Sequence, residues 1–241
     1  MEAGTSESIY DPQFVRGLFD RMSRSYERMN VIMSFGFAAR WRRQLMSLID
    51  RPEQASMVID LMSGMGETWG PLRRRFPDAT VTALDFSPDM TDHARSTNAD
   101  RFGGEIVIRC EDVLESTLPT AAFDAVVCAY GLKTFDVEQS AVLGAEVARI
   151  LKPGGQFAFI EVTQPPNRVL RTLYDWYLSI VVPLAGTLLI SDPIEYRMLH
   201  RYVRAYGAGD RSAAGFTRDD LTMIRRTHFF GCATSFSGRR I

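Results

Sequence analysis

The sequence predicts an α/β protein with a Rossmann-like, doubly wound and mostly parallel sheet, an N-terminal helical lid and a helical insertion after the fifth strand. Five short apolar segments between residues 56 and 162 alternate with helix-forming segments, which is typical of parallel strands covered by helices on both faces. The first three segments end in an acidic residue or are followed by one. Because such sheets bind ligands at their carboxyl edge, this order also predicts a ligand site.

Two amphipathic helices are predicted before the sheet. Asp11 and Pro12 form a helix start, with an N-cap carboxylate before a proline at the first helical position. Apolar residues recur at helical spacing as far as Met22, and a second helix is predicted over residues 38–49. The strands that follow are predicted over residues 56–61, 80–84, 105–110, 123–128 and 156–162.

The last predicted helix of the alternating region covers residues 137–151 and stops at Lys-Pro-Gly-Gly. Residues 165–206 then predict a helical, aromatic-rich insertion, residues 216–226 another helix and residues 228–236 a final strand. We therefore divide the chain into an N-terminal helical lid (1–52), a cofactor-binding core (53–163), a substrate-capping insertion (164–208) and a C-terminal helix and strand that complete the core (209–241).

Composition excludes several classes of protein. Hydrophobic residues make up 46% and charged residues 24% of the 241 residues, which is typical of a globular protein. The 28 basic and 29 acidic residues leave a net charge of −1, and nucleic-acid binding is not expected without a basic excess. The three cysteines form no C-x-x-C pair, so we expect a reduced protein without a metal site. The longest apolar run, residues 178–190, is shorter than the ~20 residues of a bilayer span. These features predict a cytoplasmic protein without stable membrane insertion.

Acidic residues and glycines at the strand ends indicate the ligand. Asp60, Gly64 and Gly66 follow the pattern D-x-x-x-G-x-G after the first strand, where glycine allows a ligand to approach the backbone. Asp85 ends the second strand and is placed to accept hydrogen bonds from two ribose hydroxyls. Asp112 follows the third strand, where a carboxylate suits an adenine amino group.

Two cofactors could use such a site. A nicotinamide dinucleotide requires a third glycine to hold its pyrophosphate, and Trp69 occupies that position. S-adenosylmethionine has no phosphate and carries cationic sulfonium and amino groups, which suit a loop with acidic residues. The pattern therefore favours S-adenosylmethionine.

Further motifs connect these features with a known family. They are Tyr26-Glu27-Arg28-Met29-Asn30, Met33-Ser34-Phe35-Gly36, Trp41-Arg42-Arg43, Val58-Ile59-Asp60-Leu61, Gly64-Met65-Gly66, Phe123-Asp124, Tyr130-Gly131-Leu132-Lys133, Leu151-Lys152-Pro153-Gly154-Gly155 and Tyr196-Arg197-Met198-Leu199. Through them the chain resembles the ubiquinone/menaquinone biosynthesis C-methyltransferases, a family of class I S-adenosylmethionine-dependent methyltransferases. The resemblance covers most of the chain. It implies that the N-terminal helices and the insertion form a lid over the substrate.

The resemblance also implies cofactor contacts at Met65, Asp85, Asp112, Val113 and Ala129. The complete predicted cofactor site consists of Tyr26, Asp60, Ser63, Gly64, Met65, Gly66, Asp85, Phe86, Met90, Asp112, Val113 and Ala129. Some positions depart from the family pattern. Lys133 stands where arginine is usual, and His200 stands where a small residue is usual. These departures cluster around the lid, so they favour a natural-product relative with a different aromatic or prenylated acceptor.

Methylation of a ring carbon needs a base and a cation that stabilises the oxyanion. His200 is the first candidate base, because it lies four positions from Tyr196 and three from Arg197 and all three share one face of the predicted helix. Arg197 and Lys133 are candidates for binding the oxyanion. Glu161, in the fifth strand, is an alternative base. Each of these residues could instead have a structural role, His200 in a polar position under the lid and the others in salt bridges or solvent.

The sequence thus predicts a C-methyltransferase that acts on an apolar aromatic, quinol-like or prenylated small molecule in quinone or natural-product biosynthesis. An O- or N-methyltransferase, or a methyltransferase-like cyclase that retains the cofactor without consuming it, remains an alternative. A homodimer is compatible with the sequence.

Overall fold

A seven-stranded sheet lies at the centre of the computed structural model, which describes residues 9–22, 34–50, 56–184 and 194–241. The strands are β1 (Met57–Leu61), β2 (Thr80–Asp85), β3 (Val107–Cys110), β4 (Phe123–Ala129), β5 (Leu151–Val162), β6 (Ile224–His228) and β7 (Ala233–Arg239). Their order across the sheet is β3-β2-β1-β4-β5-β7-β6. The strands β1 to β5 pair in parallel, whereas β7 is antiparallel to both β5 and β6.

Helices flank the sheet. They are α1 (Pro12–Met22), α2 (Phe37–Met46), α3 (Trp69–Arg75), α4 (Pro88–Phe102), α5 (Val137–Ile150), α6 (Arg168–Trp176), α7 (Ile194–Tyr206) and α8 (Asp210–Phe216). A π-helical segment, Tyr177–Val181, continues α6. The doubly wound, mostly parallel fold predicted from the sequence is confirmed.

Each face of the sheet is covered by its own apolar cluster. Trp41 and Leu45 of α2 and Ile49, which follows it, are buried on one face, together with residues of α3. On the other face, Phe216 of α8 lies between Phe157 and Phe236, with ring centroids 5.2 and 6.2 Å away. Removal of a buried phenylalanine side chain typically costs about 3–5 kcal/mol. This packing therefore holds the C-terminal strands against the parallel part of the sheet.

The predicted helix over residues 216–226 is wrong. Helix α8 ends at Phe216, and Ile224–His228 forms the edge strand β6. The sequence of β6, Ile-Arg-Arg-Thr-His, has almost no apolar alternation because most of this edge strand is exposed. The predicted strand over residues 228–236 is likewise divided, because a 3₁₀ turn at Phe229–Gly231 precedes β7.

The parallel order places the carboxyl ends of β1, β2, β3, β4 and β5 at one edge of the sheet, with Asp85, Cys110, Ala129 and Val162 as the last residues of four of them. Short connections follow directly, including 3₁₀ turns at Val113–Glu115 and Leu132–Thr134. Within the described ranges, no helix combines the length and apolarity that a membrane span requires.

Candidate active site

A pocket with an empty volume of ≈ 720 Å³, counted out to its open mouth, lies at this carboxyl edge. Seven residues of the predicted cofactor site line it: Gly64, Asp85, Phe86, Met90, Asp112, Val113 and Ala129. Asp60, in β1, and Ser63, Met65 and Gly66, in the turn after it, do not line the pocket, where Met62 is found instead. Tyr26 lies outside the described residues. Because β1 to β4 all contribute, the position of the pocket follows directly from the order of the strands.

The turn after β1 has a conformation that requires glycine. Gly64 and Gly66 have φ angles of 56° and 93°, in the left-handed region that glycine adopts readily. A Cβ atom at Gly66 would lie 2.5 Å from the buried ring of Trp69. Trp69 therefore packs against the turn. It stands where a dinucleotide-binding loop has its third glycine, and its ring occupies space that a glycine there would leave open.

Asp85 is an acidic residue of the pocket whose two carboxylate oxygens are both held by backbone amides. Its Oδ2 accepts a hydrogen bond from the Gly64 amide at 2.8 Å, and its Oδ1 accepts one from the Ser87 amide at 3.0 Å. Burial raises the pKa of Asp85 from 3.8 to about 6, although these two amides oppose the rise. The carboxylate lines the pocket. A carboxylate has about four acceptor positions, so acceptor capacity remains for hydroxyl donors from a ligand.

Asp60 lies behind the turn and is fully buried. Burial raises its pKa well above the ordinary value; Glu67 adds to the rise, and Arg42 opposes it. Among the described residues, neither carboxylate oxygen of Asp60 has a partner at hydrogen-bonding distance and angle. Asp112 instead has a clear local role, because its Oδ1 accepts a hydrogen bond from the Leu114 amide at 2.9 Å and caps the 3₁₀ turn that follows.

The roof of the pocket comes from α1 and the two residues before it. Tyr10, Pro12, Val15 and Phe19 line the pocket. The Tyr10 hydroxyl accepts a hydrogen bond from Nη1 of Arg211 at 2.7 Å, and its carbonyl accepts one from Nε2 of Gln139 at 3.1 Å. Sequence reasoning missed Tyr10 and Gln139, because their partners are 201 and 129 positions away.

The Arg211 guanidinium lies between two aromatic rings, 4.9 Å from the centroid of Tyr10 and 5.1 Å from that of Tyr206. Such contacts contribute about 0.5–2 kcal/mol each, depending on their exposure. Arg211 thus connects the roof to α7 and α8.

A second cavity adjoins the first and has an empty volume of ≈ 1540 Å³, counted out to its open mouth. Phe19, Tyr130 and Thr134 line both spaces. The walls of the second cavity are mostly aliphatic and aromatic, with Phe37, Trp41, Leu170, Tyr174, Leu178 and Leu199 among them. They come from α2, from α6 and its continuation, and from α7, so the predicted lid segments supply most of this lining.

Lys133 places one cation in this apolar cavity. Its Nζ atom lies 3.3 Å from Oε1 and 3.5 Å from Oε2 of Glu161, and it also donates a hydrogen bond to the Tyr130 carbonyl. Both Lys133 and Glu161 are buried. Glu161 is fixed by two backbone amides, those of Lys133 at 3.0 Å and Val162 at 2.7 Å. Lys133 is therefore a residue of the cavity lining whose ammonium group is held by Glu161 and the Tyr130 carbonyl.

The structure places the other predicted catalytic residues differently. His200 does not line the second cavity; its Nε2 lies 3.6 Å from Oδ1 of Asp175. Asp175 also accepts a hydrogen bond from Gln164 at 3.0 Å. Tyr196 and Arg197 belong to α7, but their side chains lie outside the described part of the chain. Of the predicted catalytic residues whose side chains are described, Lys133 alone lines the cavity, with Glu161 directly behind it.

The fold agrees with solved structures of methyltransferases. The chain matches N-methyltransferase NodS from Bradyrhizobium japonicum, solved with S-adenosyl-L-homocysteine, with a TM-score of 0.53, 16% identity and coverage of 84% of this chain and 86% of that one. It also matches a Methanococcus maripaludis protein provisionally classed as an S-adenosyl-L-methionine-dependent methyltransferase, with a TM-score of 0.57, 18% identity and coverage of 100% and 97%. At this identity the likeness shows the fold. A seven-stranded sheet in this order, with β7 antiparallel to its neighbours, is the fold of the class I methyltransferases.

Sequence comparison identifies the family within this class. The ubiE/COQ5 methyltransferase family matches residues 7–236, and the chain belongs to it. Demethylmenaquinone methyltransferase from Thermus thermophilus is 32% identical over 205 residues, which cover 83% of this chain and 91% of that protein. Ubiquinone/menaquinone biosynthesis C-methyltransferase UbiE from Desulfotalea psychrophila is 33% identical over 186 residues, 77% of this chain and 73% of that protein. The chain is therefore a methyltransferase that uses S-adenosylmethionine, as predicted from its sequence.

Proposed function

We propose that this enzyme methylates a ring carbon of an apolar hydroquinone, the reduced form of a demethylmenaquinone-type acceptor. The observation that carries the proposal is the large apolar cavity beside the cofactor pocket, with the Lys133 ammonium group at its wall. The names of the relatives support the same acceptor class, since they are a demethylmenaquinone methyltransferase and a ubiquinone/menaquinone biosynthesis C-methyltransferase.

The residues of the first pocket fit S-adenosylmethionine. Asp85 is a buried carboxylate with acceptor capacity directed at the pocket, which suits the two ribose hydroxyls. Asp112 and Val113 follow β3, where they would hold the adenine ring, and Gly64 allows a close approach to the turn. When bound there, S-adenosylmethionine supplies an electrophilic methyl group on its sulfonium. Phe19, Tyr130 and Thr134 would line the passage between the methyl group and the acceptor, because they line both spaces.

Lys133 would contact the hydroxyl oxygen of the acceptor. A phenolic hydroxyl has a pKa of about 10, and a cation beside it favours the phenolate, which makes the neighbouring ring carbon nucleophilic. Glu161 keeps the ammonium group in place and is a positioning residue. The methyl group that S-adenosylmethionine would supply would replace the hydrogen of that ring carbon, whose proton would pass to solvent, and S-adenosylhomocysteine would be the leaving group.

The cavity tyrosines serve as neutral partners. Burial raises the pKa of Tyr202 to about 12, and it raises the pKa of Tyr174 further. Both therefore keep their protons at neutral pH and do not act as bases. The Tyr202 hydroxyl donates its hydrogen bond to the Ile9 carbonyl at 2.6 Å, so of these two tyrosines it is Tyr174 that would donate a hydrogen bond to the acceptor. The aromatic walls exclude water from the methyl group.

The proposal is tested with purified enzyme, S-adenosylmethionine and a chemically reduced demethylmenaquinone that carries a short prenyl chain. We expect one S-adenosylhomocysteine per product and a methyl group on the quinone ring by mass spectrometry and NMR. Methylation of an oxygen or nitrogen would favour the alternative transferases. Product formation without S-adenosylhomocysteine would favour the cyclase alternative, and no product from any hydroquinone would refute the proposal.

A further inference from the structure

The mouth of the acceptor cavity opens on an exposed apolar surface. We call this surface the entrance patch and define it as Phe35, Val169, Leu173, Trp176, Phe229 and Phe230. Three of these residues, Phe35, Leu173 and Phe229, also line the cavity. The patch therefore surrounds the opening through which an acceptor would enter.

The apolar side chains of the patch are exposed to an unusual degree. On α6, Val169, Leu173 and Trp176 expose 71%, 59% and 56% of their surface, and they lie four and three positions apart, so they form one stripe along the helix. Outside α6, Phe35 and Phe230 expose 78% and 77%. Exposed apolar residues are common singly, but a contiguous group of this kind indicates an interaction surface.

Aromatic contacts join Phe35 and Phe229 of the patch to Tyr177 and Phe37, which line the cavity. Phe35 lies 5.7 Å from Tyr177, in the continuation of α6. Phe229 lies 4.2 Å from Phe37 and 5.4 Å from Phe230, measured between ring centroids. Phe229 and Phe230 have φ angles of 44° and 56°, which are unfavourable for residues other than glycine. The fold thus holds two phenylalanine rings at the surface in a backbone conformation that costs free energy.

Basic residues accompany the patch. Arg168 and Arg171 are exposed on α6, whose one acidic residue, Asp175, is half-buried and accepts a hydrogen bond from Gln164. On α2, the exposed Arg40 guanidinium lies 6.0 Å from the ring centroid of Phe37, which contacts Phe229. Aromatic and aliphatic side chains with arginines beside them match the interface of a membrane that contains anionic lipids.

We propose that the entrance patch docks on an anionic lipid surface, so that a prenylated acceptor passes from the lipid directly into the cavity. The position of the mouth favours lipid over a protein partner, because a protein seated on Phe35, Leu173 and Phe229 would cover the opening. The direction of acceptor transfer rests on the proposed function. Docking itself is measured without any acceptor.

The test is flotation of the full-length protein with vesicles of phosphatidylcholine and phosphatidylglycerol in equal amounts. The patch variant combines Val169→Gln, Trp176→Gln and Phe230→Asn; none of these three residues lines the acceptor cavity, and asparagine tolerates the left-handed backbone at Phe230. We expect the wild type to float at low salt and the patch variant to bind at least about tenfold more weakly, because three apolar groups no longer enter the interface.

The matched control combines Val137→Gln, Val142→Gln and Ile241→Gln, which also removes three exposed apolar side chains. Val137 and Val142 lie on α5, whose buried residues pack on the sheet face opposite that of α2. This control should float like the wild type. Circular dichroism and S-adenosylhomocysteine binding verify that all variants are folded.

Several results would overturn the inference. The first two are a wild type that does not float and a patch variant that floats as well as the wild type. The third is a wild type and control that are dimers in light scattering while the patch variant is a monomer, since the surface would then join two copies of the chain. Methylation of a soluble short-chain hydroquinone separates docking from the proposed function. Turnover without flotation refutes docking alone, whereas loss of flotation in the patch variant without any hydroquinone turnover supports docking and refutes the proposed function.

Discussion

We predict that the buried carboxylate of Asp85 makes cofactor binding depend on pH. Its pKa of about 6 lies above the ordinary 3.8 because burial disfavours the charged form. A tenfold change in proton affinity is worth about 1.4 kcal/mol, so ionised Asp85 costs the empty fold about 3 kcal/mol. Between about pH 4 and 6 the native state therefore keeps a proton on Asp85 that the unfolded chain has lost. This group therefore contributes a loss of stability as the pH rises from about 4 to 6, and the cost is constant above that range.

Replacement of Asp85 by asparagine tests whether the carboxylate receives the ribose hydroxyls. Two hydrogen bonds to a charged acceptor contribute about 1.5–3 kcal/mol each, and asparagine would lose one of them and weaken the other. We expect a loss of about 3 kcal/mol, or about 100-fold in affinity for S-adenosylhomocysteine at pH 7.5. At pH 5 about one tenth of wild-type Asp85 is ionised. The difference between wild type and variant should therefore shrink by about tenfold.

Isothermal titration calorimetry at constant ionic strength between pH 5 and 8 measures both effects. The asparagine variant reports the pH dependence of every other group, including those of the ligand, and is therefore the internal control. Affinities within threefold of each other at pH 7.5 would refute the role of Asp85. A wild-type to variant ratio that does not change between pH 5 and 7.5 would refute the reasoning from its pKa.

Three further predictions follow from the site. Lys133→Met should lower kcat by about 100-fold with little change in cofactor affinity, while Lys133→Arg should retain most of the activity. His200→Asn should leave turnover of a short-chain hydroquinone nearly unchanged. A larger loss of turnover in the histidine variant than in Lys133→Met would reverse this assignment. Gly66→Ala should destabilise the fold and weaken S-adenosylhomocysteine binding, because its Cβ would lie 2.5 Å from Trp69. Gly103→Ala is the control, since Gly103 also has a positive φ but no atom within 4 Å of an added Cβ. It should lower the free energy of unfolding, measured by heat or urea, by only about 1 kcal/mol. Arg211→Met should weaken S-adenosylhomocysteine binding by about five- to tenfold through the Tyr10 roof, and unchanged calorimetric affinity would show that the roof is held by other contacts.

The position of the site was predictable because it depends on local order along the chain. Asp85 and Asp112 could be assigned to the carboxyl edge once the strands were identified, and the parallel pairing of β1, β2 and β3 brings them to one pocket. The left-handed glycines were likewise indicated by their place after β1. These features need only the period of the strands and the direction of the sheet.

The remaining parts depend on distant contacts or on exposure. Tyr10 meets Arg211 across 201 positions, so neither local spacing nor periodicity indicates the roof. The edge strand β6 has arginines at consecutive positions and does not show the alternation of a half-buried strand. Lys133 and Glu161 were recognised as separate candidates, but their pairing required the register of β4 and β5 and the turn after β4. The spacing of the apolar residues on α6 does not predict that they are exposed, because a buried helix face has the same spacing.

Because Phe19 on α1 belongs to both the cofactor pocket and the acceptor cavity, one movement of α1 would open both compartments. We therefore predict that exchange of the spent cofactor and departure of the product are coupled. Steady-state kinetics should be sequential, with S-adenosylhomocysteine acting as a strong product inhibitor that competes with S-adenosylmethionine. The rate of α1 opening would set an upper limit on turnover that changes at Lys133 leave unaltered.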